Sequence, residues 1–141
     1  MENIEASNFK RLIGIWKTEG FILTNDNSKL IGTDSYELIL HGNYILHKAD
    51  VKMGTESSQT FEIISLDGSS QKGKMQYYNS KGESGIMTCS LTDQDFQITG
   101  DKIKFEGIIN NGNTELKGKW FLEEENGRWI DFIDLKLIKQ I

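Results

Sequence analysis

No link between the apolar segments of this chain is long enough to hold a crossover helix. The alternating segments are separated by short runs rich in glycine and asparagine: His41-Gly42-Asn43, Asp67-Gly68-Ser69, Asn79-Ser80-Lys81-Gly82, Gly100-Asp101, Asn110-Asn111-Gly112-Asn113 and Glu125-Asn126-Gly127. These residues tolerate the positive φ that tight turns demand. Hairpin-length links force sequential antiparallel pairing, because a parallel pair needs a crossover of a dozen or more residues. The rhythm predicts about ten strands, at 14–24, 30–40, 43–53, 58–66, 73–80, 84–91, 94–99, 102–110, 113–123 and 128–138. Ten twisted antiparallel strands in 141 residues must close or fold over.

The two ends of the chain say which. Gly14-Ile15-Trp16 opens the first strand, and Gly118-Lys119-Trp120 and Gly127-Arg128-Trp129 flank the last turn. First and last strands that meet as neighbours give a closed, up-and-down β-barrel, one domain over residues 1–141. Residues 3–12 predict one or two short helical turns near one end, with Ser7 or Asn8 as cap and Phe9, Leu12 and Ile13 at helical spacing.

Composition agrees. The chain has 18 Ile and 12 Leu but only 2 Ala, the best helix former. It has 14 Gly and no Pro. Net charge is −5 with both signs interspersed, so no basic stripe invites nucleic acid. No apolar run approaches the roughly 20 residues that span a bilayer as a helix. The acidic start, Met1-Glu2-Asn3-Ile4-Glu5, lacks the apolar stretch of a signal peptide, and one cysteine, Cys89, allows no internal disulfide. The expectation is a cytoplasmic monomer or homodimer without a cofactor.

Alternation assigns the faces. Charged residues at 102, 104 and 106 point out, placing Ile103, Phe105, Gly107 and Ile109 inside. The same reading places Leu116, Trp120 and Leu122, then Met75 with Tyr77, then Met87 with Cys89, and Ile45, His47, Ala49 and Val51 inside. On the last strand it places Trp129, Asp131, Ile133 and Leu135 inside. The second strand is ambiguous between Tyr36, Leu38, Leu40 and Ser35, Glu37, Ile39.

With these residues in place, the chain resembles the calycins, the superfamily of lipocalins and fatty-acid-binding proteins, and within it the small bacterial lipocalin-like proteins of unassigned function. Phe9-x-x-Leu12-x-Gly14-x-Trp16 is similar to the lipocalin opening, whose Trp closes the barrel floor. Tyr36-Glu37 before Gly42, Met75-x-Tyr77-Tyr78 and the late tryptophans resemble the bacterial group. The resemblance implies a ten-stranded barrel around a small-molecule cavity. It also implies an arginine on the closing strand packed over Trp16. Arg128 is on that strand, although alternation points it outward. The Arg-x-Tyr that anchors carboxylates in fatty-acid-binding proteins is replaced by Arg128-Trp129-Ile130. The late-strand histidine of the nitrobindin haem barrels has no counterpart, since His41 and His47 are the only histidines.

Function is expected in the interior. A carrier of a small apolar or amphipathic ligand would use Trp16, Met75, Tyr77, Met87, Phe105, Trp120 and Trp129 as wall, with His47 and Asp131 as polar anchors. An enzyme acting on an apolar substrate would use His47 or Asp131 as acid or base. A structural barrel would fill its interior with the same side chains. Each polar residue has a plainer reading. A bulge would turn Asp131 to solvent and leave Phe132 inside. His47 would be a core histidine satisfied by a neighbour. Tyr77, with Tyr36 and Tyr44, would pack as ordinary aromatics. Two polar groups are too few for a metal, which needs three or four ligands. No nucleophile elbow or phosphate loop occurs.

Overall fold

The computed structural model describes residues 3–140. Two 3-10 turns, Ile4–Ala6 and Asn8–Leu12, precede ten strands: β1 Gly14–Ile22, β2 Ser28–Ile39, β3 Tyr44–Met53, β4 Glu56–Ser69, β5 Lys72–Asn79, β6 Ser84–Thr92, β7 Asp95–Thr99, β8 Ile103–Ile109, β9 Glu115–Glu123 and β10 Trp129–Gln140. Every consecutive pair is antiparallel, and β10 returns to pair with β1 from Ile15↔Gln140 to Ile22↔Ile133. The sheet therefore has no free edge, which is how this architecture avoids edge-to-edge association. All ten expected strands are present, with ends shifted by a few residues.

The N-terminal segment is a plug. Ser7 is extended and separates the two turns. Its hydroxyl donates to Ile4 O at 2.6 Å and accepts from Phe9 N at 3.2 Å. Segments this short cannot carry helix nucleation alone, and the barrel end holds them. Glu5 N donates to Gly42 O at 3.2 Å, Asn8 N to Ser70 O at 3.2 Å, and Asn8 Nδ2 to Leu91 O at 2.7 Å. Arg11 reaches Asn113 Oδ1 at 2.7 Å and the carbonyls of Asp93 and Asn110. The plug is thus tied to all four turns at that end. Gly42 has φ +76°, the left-handed region that favours glycine, in the turn against which Glu5 of the plug packs.

Ile4, Phe9 and Leu12 of the plug and Trp16 of β1 are fully buried. The Trp16 indole N–H donates to Leu12 O at 2.8 Å. Lys139, its partner across the β1–β10 seam, holds Nζ 4.8 Å from the ring centroid and 3.3 Å from Arg11 O. Arg128, the residue the lipocalin resemblance put over Trp16, is exposed in the turn before β10, at the far end of the barrel. Lys139 covers that ring instead. The plug and the barrel floor share one core with Ile45, Ile64, Met75, Leu91, Phe96 and Ile109.

Candidate functional site

Above the floor the barrel is hollow. A cavity of about 320 Å³ runs from Tyr36, His47 and Glu62 toward Leu30, Met53, Ser58 and Phe132, at the end away from the plug. Most of its wall is apolar: Phe96, Ile98, Phe105, Leu116, Trp120, Leu135 and Leu137. Two glycines make the room. A Cβ on Gly118 would lie 2.3 Å from Phe105 Cζ, and one on Gly107 would lie 2.6 Å from Phe105 Cε2. The Phe105 ring therefore lies flat over a paired Gly107–Gly118 step instead of standing into the lumen.

One wall is polar, and strand register assembles it. Tyr36 on β2 faces His47 on β3, which faces Glu62 on β4. Asp34, two residues before Tyr36, shares its face. His47 donates from Nε2 to Asp34 Oδ1 at 2.6 Å and from Nδ1 to Glu62 Oε1. The Thr18 hydroxyl, from β1, donates to Asp34 Oδ2. The side chains of His47, Asp34 and Glu62 retain only 11%, 11% and 7% of their exposure. Tyr36 stacks on the His47 ring.

A neutral imidazole has one N–H, whereas both ring nitrogens here face carboxylate oxygens, so the geometry is that of an imidazolium between two carboxylates. Burial works against that charge. The Glu62 carboxylate, the hydrogen bonds to Asp34 and Glu62, and the Asp34 charge outweigh it and raise the His47 pKa from 6.5 to about 10. Burial, with Asp34, Glu62 and Cys89 nearby, holds the Tyr36 hydroxyl well above its ordinary range. Such a histidine has no lone pair to accept a substrate proton or ligate a metal. Among the described residues no group of three or more His, Cys, Asp or Glu is arranged to hold a metal ion. The array can orient a ligand and present charge.

The nine residues singled out from sequence divide four ways. His47, Phe105 and Trp120 line the cavity. Trp16 and Met75 are fully buried below it, and Met87 packs against the same core. Tyr77 points inward but lies over Gly85, outside the cavity wall. Trp129 and Asp131 are corrections, because both face outward. β10 carries one extra residue at Phe132, between the pairs Asp131↔Phe121 and Ile133↔Trp120. Phe132 turns into the cavity, and its carbonyl accepts from Leu23 N at 2.7 Å. The bulge inverts the facing of everything before it. Asp131 is exposed and pairs with Lys119 at 2.9 Å. Trp129 packs its ring against Lys104 Nζ, 4.4 Å from the centroid.

Sequence reasoning missed Asp34, Glu62 and Thr18, and left Tyr36 on an undecided face. The signal for β2 lay in Asp34, Tyr36 and Leu38 sharing one parity with Leu30. For Glu62 there was little signal, since β4 carries apolar residues on both sides of it.

No protein-family model matches the chain, and no curated protein does. Solved structures do. The crystal structure of Rv2717c from M. tuberculosis covers 94% of this chain and 95% of its own, with a TM-score of 0.74 and 10% identity. The S-type phycobiliprotein lyase CPES from Guillardia theta covers 94% and 90%, with a TM-score of 0.64 and 10% identity. Identity this low makes these likenesses of fold alone. With the closed ten-strand order, they fit a calycin-like barrel.

Proposed function

We propose that this barrel binds a small amphipathic molecule in its cavity. The observation that carries the reading is the two-faced lumen: about 320 Å³ with an apolar wall around Phe105 and Trp120 and the Asp34–His47–Glu62 array opposite. That volume is at the small end of the roughly 300–1,000 Å³ typical of ligand sites. The apolar body of the ligand would gain about 25 cal/mol per Å² removed from water, and the polar wall would fix its orientation. A phycobiliprotein lyase among barrels of this shape is consistent with small-molecule handling. No helix among the described residues is long and apolar enough to cross a membrane. The buried, free Cys89 needs no oxidising compartment, which supports a cytoplasmic location.

The test is titration with the neutral dye N-phenyl-1-naphthylamine, read by quenching of Trp120 fluorescence. One-site saturation is expected. Ala49, on the cavity wall beside Asp34, is the filling position. Ala49→Phe should abolish the binding while leaving the β circular dichroism spectrum unchanged. Undiminished binding by the folded Ala49→Phe variant would put the dye on the outer surface and overturn the reading.

A further inference from the structure

We infer that the ligand this cavity selects is cationic: an organic ammonium on an apolar body, its headgroup seated between Glu62 Oε2 and the Tyr36 hydroxyl. The inference rests on the cavity-binding reading and names the ligand class within it.

The polar wall does not balance its own charge. Asp34 and Glu62 supply two carboxylates against one imidazolium. None of the other residues lining the cavity is a lysine or an arginine. The imidazolium and Thr18 donors of the wall are already spent on its own carboxylates, which leaves only neutral hydroxyls such as that of Tyr36. His47 donates to Asp34 Oδ1 and Glu62 Oε1, and Thr18 to Asp34 Oδ2. Glu62 Oε2 receives nothing from the described residues, although its side chain is 93% removed from solvent by the 7% exposure it retains. The Tyr36 hydroxyl is likewise unpartnered on a residue only 5% exposed. Neither atom is sealed in protein, and both residues line the cavity.

A buried carboxylate oxygen without a donor is costly. A ligand ammonium supplies both the missing N–H and the missing positive charge, and Tyr36 offers it a second acceptor. An anionic ligand finds no charged donor, because both imidazolium N–H groups are committed; only neutral hydroxyls such as that of Tyr36 could donate to it, and it meets two carboxylates. A neutral alcohol supplies the hydrogen bond without the charge. With the His47 proton held to a pKa of about 10, the imidazolium offsets one of the two carboxylates at neutral pH, and losing that proton would enlarge the surplus.

Three probes of equal apolar length separate these cases: octylamine, 1-octanol and octanoate, titrated calorimetrically into the full chain near neutral pH. Octylamine should bind at least about tenfold tighter than octanol, with octanoate the weakest. Glu62→Gln should bring amine and alcohol to within about threefold of each other while octanol affinity is kept. Equal affinity of amine and alcohol for the unmodified protein overturns the charge inference and leaves cavity binding standing. So does an amine preference that survives Glu62→Gln. Failure of all three probes to bind, or binding that survives Ala49→Phe, overturns the cavity reading itself. If Glu62→Gln does not fold, the ranking on the unmodified protein decides alone.

Discussion

The Tyr36 ring lies parallel to the His47 ring, with centroids 4.1 Å apart and planes 3° from coplanar. The two are direct partners across β2 and β3, so the ladder itself sets the stack. An imidazolium over an aromatic face gains electrostatic attraction, and the stack closes one side of His47 to water. The remaining side is edged by Asp34 and Glu62. The histidine is held as a fixed charge.

That charge makes stability fall on the alkaline side. The folded pKa is about 10 against 6.5 for an ordinary histidine, so the folded state holds the proton more tightly. The stabilisation is complete below the unfolded value and is lost as pH rises through the folded one, at about 1.4 kcal/mol per unit as an upper bound. Thermal melts should show Tm declining from near pH 6.5 toward pH 10. Above pH 9 Cys89 adds in the same direction, because burial and Glu62 push its thiol from 9.0 to about 12. A Tm that is flat between neutral pH and pH 9 sinks this account.

Removing the histidine alone should be worse than removing the whole array. His47→Gln strands two buried carboxylates and should cost about 3–5 kcal/mol by urea denaturation. Adding Asp34→Asn and Glu62→Gln to His47→Gln should recover stability. Losses that simply add across the three positions would show that the groups are not electrostatically coupled.

Gly118→Ala tests how the lumen is kept open. The new methyl would meet Phe105 Cζ at 2.3 Å and Glu106 O at 2.7 Å, so the ring must move toward the cavity. Overpacking of this kind costs about 1–3 kcal/mol. Affinity for the naphthylamine dye should fall in parallel. Full affinity at unchanged stability would mean that the ring does not depend on the glycine.

Asp131→Asn should do little. The Lys119–Asp131 bridge is on the surface, with the aspartate side chain 56% exposed. Exposed pairs contribute about 0–1 kcal/mol, and binding of the amine and alcohol probes should be unchanged. A large loss of binding would return Asp131 to the cavity.

What the sequence disclosed follows from how the signals are encoded. Turn residues are local, so Asn110–Asn113 or Glu125–Gly127 announce their hairpins without help. Facing is equally legible where charges alternate cleanly, as at Lys102, Lys104 and Glu106. In Trp129–Leu135 both parities are apolar, so nothing local reveals the extra residue at Phe132, and the whole upstream facing inverts. The polar wall was hidden for another reason. Asp34, His47 and Glu62 are 13 and 15 residues apart and meet only through register across three strands. A buried acid beside Phe61 and Ile63 is indistinguishable from a surface acid until its partners are known.

The seam between β1 and β10 also governs how the molecule is made. Its pairs, such as Ile15 with Gln140, join residues more than a hundred positions apart. Contacts of such long range slow folding. Until β10 inserts, β1 and β9 both expose unpaired backbone, and such open edges recruit other chains. The finished barrel is protected by closure, so its vulnerable period is the interval before closure. Crowded synthesis or a weakened β10 should appear as aggregation of nascent chains, while barrels already closed keep their shape.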